Sequence, residues 1–561
     1  MHPLEFFVQK HLSLDHQLLP WTVYQLRLLE KGLVLAALLF TVFFFLKHRF
    51  KFSSIRINKM FYCVILISAI LLRVVSASRG FEEMVSFDSV HYAVPAAELI
   101  SSGTLSVPIN QTDHPMSKAP GFSMMLAPFY LVFGSDLGAG VFCPLLLGIL
   151  SLLIIYRLGR KIADEQTALL ALLLLSFSPL HISNSRIILP MMAPLFLVLG
   201  ALLLLADKKT GTAKLMIAGF LLGFAAAVRY LAIAAVPAAV VYLLMQNERE
   251  FKLKRSASLL LGAIIPLAGL FYYQWREFGS PLLTGYSYWT HFTANIQRPF
   301  SLSYASRPAY GASSNILYNL ISSTGAEPST ILSARPDQIA LAIIIWLFAV
   351  FGLVQFYRRD RPFFFFSAIF FAAYYLPHVF LFSQSTCYML PVAPIIILSA
   401  AAGIGRFFKK APAVIFIGLL TFIPFAYSYS HPPFETLKRD YLDFMKNKLP
   451  DGSFLISDFE PILFTHQVGR SKNVTFIAVS PNVAYADLQF YFKGKIFPPA
   501  VPLATDELVR GLLEDKKPLF LSSYSGYFDN EFAPDYQRIF QTFNLTLVVQ
   551  TAHFKLYRLD K

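Results

Sequence analysis

The chain has 561 residues, 56% hydrophobic and 14% charged, with a formal net charge of +15. Soluble domains carry roughly 25% charged residues, and a mean hydropathy of +0.55 leaves an integral membrane protein as the expected class. The Lys and Arg fall in short clusters between apolar runs, as the positive-inside rule produces, so the charge is not read as a nucleic-acid surface.

Taken in order, residues 1–30 mix Leu4, Phe6, Phe7 and Leu12 with Lys10, His11 and Asp15, the layout of an amphipathic interfacial segment. The charges spread through this stretch lack the compact layout of a cleavable signal peptide. A first apolar run at about 31–46 ends in the basic KHRFKFSSIRINK (Lys47 to Lys59), placed in the cytoplasm. A second, at about 60–77, carries the chain outside. The polar window Ser86 to Gly121 follows. The next run, Phe122 to Gly134, falls short of the ~20 residues a span takes and is read as a re-entrant or juxtamembrane helix.

Further spans are predicted at about 136–156, 167–182, 188–206, 213–228, 230–246, 257–274, 338–357, 363–382, 388–404 and 411–428. Arg157, Arg160 and Lys161, then Arg358, Arg359 and Arg361, fall on the inner side. The count is about twelve, with both ends outside. A long loop, about 275–336, is rich in Tyr, Ser, Asn and Pro. From about 431 strand-like runs (SFLIS, NVTFIAV, PLFLSS, TLVVQTA, FKLYRL) alternate with helix-like segments at 434–448 and 504–515. The expected fold is therefore a polytopic α-helical membrane protein with a transmembrane domain over 31–430, an outer loop at 78–135, and a soluble extracytoplasmic α/β domain over 431–561. Cys63, Cys143 and Cys387 lie in apolar runs without a CxxC pair, which argues against disulfides and zinc. Asn110, Asn473 and Asn544 each begin an N-x-S/T sequon.

The window gathers Asp88, His91, Tyr92, Asp113, His114 and Lys118 at the end of an apolar segment. Ionisable groups so placed mark something charged or reactive. A lipid-phosphate sugar donor brings its own leaving group, so no strong general acid is required. It needs a cation to hold the leaving charge and a carboxylate to take the acceptor's proton. Asp88 is the candidate base and Lys118 the phosphate ligand; Arg186, Arg229 and Arg276, near outer helix ends, are further anion ligands. Most have a plainer reading: Asp88 as a helix cap, Lys118 as a snorkelling lysine, Arg186 and Arg229 as helix-end anchors. Asp113 reads as a second acid, a metal ligand or a turn former beside Pro115. Two Asp and two His admit a divalent cation, but their spacing has no metal-specific pattern, and no cofactor is expected.

FDSVHYAVPAAELISSG (Phe87 to Gly103) resembles the acidic motif that opens the first external loop of GT-C glycosyltransferases. It is similar to the lipid A aminoarabinose transferases and to the protein O-mannosyltransferases of glycosyltransferase family 39. Asp88 matches the catalytic aspartate; Ser89 stands where a second acid is usual. DHPMSKAPGFSMMLAPFYLVFG (Asp113 to Gly134) resembles the second half of that loop. Lys118 falls on the phosphate-contacting lysine, and Asp113, His114 and Pro115 on a D-x-H-P segment. SPLHISNSRIILP resembles a short external turn with Arg186 in place. FGSPLLTGY (Phe278 to Tyr286) looks like a recurrent segment after a span. CYMLPVAPIIILSAAAGI resembles the R-Y-x-L-P-x-x-P helix, with Tyr388 retained and Cys387 where Arg is usual.

The resemblance implies an inverting hexosyl- or pentosyltransferase of the GT-C type in the inner (plasma) membrane, acting on its periplasmic side. Its implied partners are a polyprenyl-phosphate sugar donor and a lipid, glycan or protein acceptor. With the residue reading above, the expected site is Asp88 and Asp113 as catalytic, and His91, Tyr92, His114, Lys118, Arg186, Arg229, Arg276 and Tyr388 as substrate-binding. The rival is a multi-span transporter or flippase. That class calls for paired halves and broken mid-membrane helices, whereas the ionisable residues here gather at external ends.

Overall fold

The computed structural model describes residues 55–76, 87–134, 136–207, 211–246, 252–285, 315–325, 336–380, 386–407, 437–480, 483, 490–492, 495–497, 501–524, 533–551 and 553–560. The amphipathic segment 1–30 and the runs expected at 31–46 and 411–428 lie outside them.

The membrane-type region is a stack of apolar helices: α1 (Ile55–Ser76), α2 (Phe87–Ser101), α3 (Gly121–Phe133), α4 (Phe142–Ile162), α5 (Glu165–Ser176), α6 (Pro179–Asn184), α7 (Met192–Leu205), α8 (Thr212–Val228), α9 (Ala235–Met245), α10 (Lys252–Phe278), α11 (Asn315–Ser322), α12 (Pro336–Arg359), α13 (Arg361–Phe380) and α14 (Ala393–Phe407). Among the described residues three helices are long and apolar enough to cross a membrane: Leu137–Ile162, Lys252–Phe278 and Ile339–Arg359. Others, such as α5 with 12 residues and α7 with 14, are shorter than the ~20 a bilayer asks for.

Close packing between helices is set by small residues. In α8 a Cβ on Gly219 would lie 1.9 Å from the Leu259 carbonyl oxygen of α10, and one on Gly262 would lie 2.0 Å from the Met216 oxygen. Backbones that touch in this way bring dispersion and weak Cα–H contacts into play where lipid offers no hydrophobic drive.

A charge is locked inside the bundle. Arg73 of α1 is fully buried. It donates to the carbonyls of Ala69 (3.0 Å), Ser176 (3.1 Å) and Leu175 (3.3 Å), and its Nη2 lies 2.7 Å from His181 Nδ1. Arginine only donates, so His181 Nδ1 accepts and Nε2 carries the proton. That nitrogen donates to Ser151 Oγ at 2.9 Å, and Ser151 passes a bond to the Gly148 oxygen at 2.7 Å. Every direction in this chain is fixed. Replacing Arg73 with Leu takes a buried donor from the Ser176 carbonyl and from the His181 imidazole; unfolding in detergent should show a loss of about 1–3 kcal/mol, and an unchanged midpoint would show the network to be dispensable.

After α2 the chain forms a hairpin, β1 (Ser106–Ile109) with β2 (Thr112–Pro115), paired from Ser106↔Pro115 to Ile109↔Thr112. Its two-residue turn is Asn110-Gln111, with Asn110 at φ +52°, a left-handed position that Asn tolerates well. The C-terminal unit holds β3 (Phe454–Ser457), β4 (Thr475–Ala478), β5 (Phe490–Phe492), β6 (Lys495–Phe497), β7 (Leu519–Ser522), β8 (Asn544–Gln550) and β9 (Lys555–Asp560), with helices α15 (Leu437–Lys448), α16 (Asp506–Glu514) and α17 (Ala533–Thr542). Five strands make one sheet in the order β4-β3-β7-β9-β8; β4, β3 and β7 run parallel, and β9 lies antiparallel to both of its neighbours, β7 and β8. Where such sheets bind ligands, outside the strand ends at a switch in strand order, this one is packed shut. Asp458 accepts from Ser523 Oγ (3.0 Å) and the Tyr524 amide (2.6 Å), and the rings of Tyr441, Phe459, Tyr524 and Phe554 pile on one another.

Candidate active site

Asp88 is the second residue of α2 and sits in its first turn, where the positive end of the helix dipole favours a carboxylate. The hairpin then returns the chain to the start of α3, so that Lys118, thirty residues on, meets Asp88 again. Their Nζ–Oδ1 distance is 3.1 Å, with the carboxylate half-exposed and the ammonium mostly covered. Partial burial raises the Asp88 carboxyl, but the Lys118 charge and hydrogen bond, backed by Arg229, outweigh it and hold the group below the usual carboxylate range.

The neighbourhood is built by close contact. A Cβ on Gly121 would lie 2.7 Å from the Ala227 carbonyl and 2.8 Å from the Val228 nitrogen; one on Gly285 would lie 2.0 Å from the Met116 oxygen. Only glycine lets the first turn of α3 rest on the end of α8, and that contact brings Lys118 towards Arg229. The Arg229 guanidinium lies over the Tyr388 ring, 4.2 Å from its centroid, a cation–π contact that holds the charge without neutralising it. Tyr388 in turn lies 5.4 Å from the His378 ring.

His91, one turn beyond Asp88, is buried. Burial first, then the Lys118 charge, pushes its imidazole down to about 3, so it is neutral near pH 7. Its Nδ1 and Ser117 Oγ share a hydrogen bond of 2.9 Å, which ties the residue before Lys118 to α2. Tyr92 is buried edge-on against Phe122, 5.4 Å between ring centroids, and its carbonyl accepts from Ser123 Oγ at 2.9 Å.

The structure thus brings Asp88, His91, Lys118, Arg229 and Tyr388 into one electrostatic cluster. Asp113, His114, Arg186 and Arg276 have contacts of their own. Asp113 lies on β2 and pairs with Arg470 of the C-terminal unit. His114 Nε2 bonds to Thr112 Oγ1 at 3.0 Å, on the same strand. Arg186 lies in the turn after α6, half-buried, with its amide bonded to the Ser183 carbonyl. Arg276, at the end of α10, is ion-paired with its neighbour Glu277 at 2.5 Å. Among the described residues no three His, Cys, Asp or Glu side chains gather as a metal site.

Residues the sequence reading did not single out also bear on the site. Glu98, on α2, accepts from His466 Nδ1 (3.1 Å) and from Arg470 Nη1 (3.3 Å); the His466 hydrogen bond, against burial, holds its carboxyl low. Between α2, Asp136 and α15 a cleft of about 420 Å³ opens, with Asp136 and Arg439 paired at 3.1 Å in its wall.

Residues 113–273 match the family model described as dolichyl-phosphate-mannose-protein mannosyltransferase. The match takes in Lys118, Arg186 and Arg229; Asp88 and Tyr388 lie outside it. A search of curated protein sequences found no match. Among solved structures the chain is similar to ArnT from Cupriavidus metallidurans bound to undecaprenyl phosphate, at 15% identity and a TM-score of 0.62, covering 88% of this chain and 97% of that one. It is also similar to the apo state of that protein, at 13% identity and a TM-score of 0.59, with the same coverage. The archaeal oligosaccharyltransferase AglB from Archaeoglobus fulgidus, in complex with an inhibitory peptide and a dolichol-phosphate, follows at 13% identity and a TM-score of 0.53, covering 83% of this chain and 69% of that one. With its apolar helices and the loop that carries Asp88 and Lys118, the chain has the fold of the GT-C membrane glycosyltransferases.

Proposed function

We propose that the protein is an inverting membrane glycosyltransferase that moves a sugar from a polyprenyl-phosphate donor to an acceptor on the extracytoplasmic side. The observation that carries this reading is the half-exposed Asp88 carboxylate 3.1 Å from Lys118, with the Arg229 charge close behind it.

An acceptor hydroxyl oxygen attacks the anomeric carbon from the face opposite the phosphate. The bond from that carbon to the phosphate oxygen breaks, and the polyprenyl phosphate leaves with the electron pair. The hydroxyl proton passes to Asp88. A single displacement inverts the anomeric centre. Lys118 and Arg229 offset the charge that grows on the leaving phosphate, where fixed cations count most. Lys118 has a second task. In the empty site it holds Asp88 ionised; a bound phosphate draws it away, and the carboxylate regains basicity as the acceptor arrives.

The test is to offer the purified protein a panel of polyprenyl-phosphate sugars and follow release of polyprenyl phosphate. One sugar should be consumed. If none is cleaved while an intact lipid-linked sugar crosses the bilayer, the protein is a flippase. Lys118→Ala should lower turnover of the consumed donor roughly 10²-fold and weaken its binding. Wild-type affinity and rate in that variant would make Lys118 a surface anchor only.

A further inference from the structure

The C-terminal unit grips the loop that carries Asp88 and Lys118, and we infer that Arg470 is a positioning residue for that pair. The inference rests on the proposed roles of Asp88 and Lys118.

One guanidinium reaches two carboxylates on different parts of the loop: Nη1 is 3.3 Å from Glu98 on α2, and Nη2 pairs with Asp113 on β2. His466 adds a second contact to the same Glu98 oxygen at 3.1 Å. The planar fork of arginine suits this bridging, and a lysine cannot reproduce it. A second clasp lies at the hairpin turn. Asn110 Nδ2 donates to the Phe476 carbonyl at 3.2 Å, and the Phe476 amide donates to Asn110 Oδ1 at 2.7 Å. The Asn110 side chain thereby fills the free edge of β4 as another strand would. The Asn110 amide donates to Thr465 Oγ1 at 3.1 Å.

These contacts fall where they control the reactive pair. Glu98 lies ten residues beyond Asp88, about 15 Å along the same helix at 1.5 Å per residue. Asp88 and Lys118 join one end of α2 to the end of the loop, and Glu98 and Asp113 are joined at the other end through Arg470. Asp113 is five residues before Lys118 on the strand that delivers it. Letting the hairpin move against α2 therefore shifts Lys118 against Asp88. A base must sit within hydrogen-bond reach of its proton, whereas a lysine acts on phosphate as a point charge on a flexible stem. Loss of the bridge should then cost turnover more than donor affinity.

The experiment uses the full chain with Arg470→Ala, Arg470→Lys, Asp113→Asn and the double variant Arg470→Ala/Asp113→Asn. The probe is the undecaprenyl-phosphate sugar that the wild type consumes, and amide exchange over Ser106–Lys118 is read in parallel. Arg470→Ala should lower kcat by roughly 10²-fold, the scale of an ångström's misplacement, with KM for the donor changed by less than about threefold. Arg470→Lys should restore part of the rate. The double variant should be no slower than the worse single one, because the three groups act as a unit. Exchange across the hairpin should quicken in both single neutral variants. Wild-type kcat in Arg470→Ala, or losses that multiply in the double variant, would overturn the inference. Should Arg470→Ala fail to fold, the half-exposed Asp113→Asn decides alone: wild-type kcat and exchange there overturn it. Asp88→Asn, run beside these, separates the two ideas, since full turnover in that variant defeats the base assignment whatever Arg470 does.

Discussion

Asp88→Asn should abolish sugar transfer while leaving the protein folded and able to bind its donor. The amide keeps the shape of the carboxylate and loses the capacity to take a proton, which is worth roughly 10²–10⁴-fold in rate. It also removes the negative charge that Lys118 faces at 3.1 Å. The Lys118 ammonium is then held less tightly against residue 88 and can turn to the donor phosphate, so affinity should hold or rise as kcat falls. Turnover at the wild-type rate would end the case for Asp88 as the base. The pH profile gives an independent check. The folded carboxyl is held below its usual range by Lys118, against an ordinary value of about 3.9. Activity is therefore retained above that lowered value and lost as pH falls through it, so the acid limb of kcat/KM should lie below pH 4. In Lys118→Met the largest lowering influence is gone and burial is opposed only by His91 and Arg229, so the group should rise and the limb should move to higher pH. A limb that stays put would mean that another group titrates there.

Gly121→Val should be nearly as damaging, though residue 121 has no side chain to do chemistry. The atoms in the way are backbone: the Ala227 carbonyl at 2.7 Å and the Val228 nitrogen at 2.8 Å. Backbone cannot rotate aside, so α3 and α8 must part. Lys118 precedes the contact by three residues and Arg229 follows Ala227 by two. Displacing these cations by an ångström costs roughly 10²-fold in kcat/KM, and overpacking costs a further 1–3 kcal/mol of stability. Gly211→Ala is the control, since nothing lies within 4 Å of a Cβ there. If Gly121→Val keeps wild-type kcat/KM, the α3–α8 contact does not set the geometry of the cations.

Much of this architecture is legible from local pattern. The runs SFLIS, NVTFIAV, PLFLSS, TLVVQTA and FKLYRL fall on β3, β4, β7, β8 and β9, because alternation and β-branched content are properties of a few consecutive residues. Asp88 and Lys118 are legible from residue type and from their places at the ends of one loop. Asp113 shows where such reading stops. Its type suits an acid, but its partner, Arg470, is 357 residues away, and no local spacing announces that pairing. Asn110 and Phe476 are separated by 366 residues and hidden for the same reason. Arg73 is a different case. An arginine inside an apolar helix is a visible anomaly, and the signal is masked only by its nearness to the polar window that follows.

The clasp at the hairpin turn has a consequence for secretory expression. Asn110 opens a glycosylation sequon with Thr112, yet its side-chain nitrogen is spent on the Phe476 carbonyl and the Thr112 hydroxyl on the Ile109 carbonyl. An oligosaccharide attached to that nitrogen cannot coexist with the bond to β4. In a host that decorates such tripeptides, a sugar on Asn110 would therefore brand the molecules in which the two halves had not yet closed on each other.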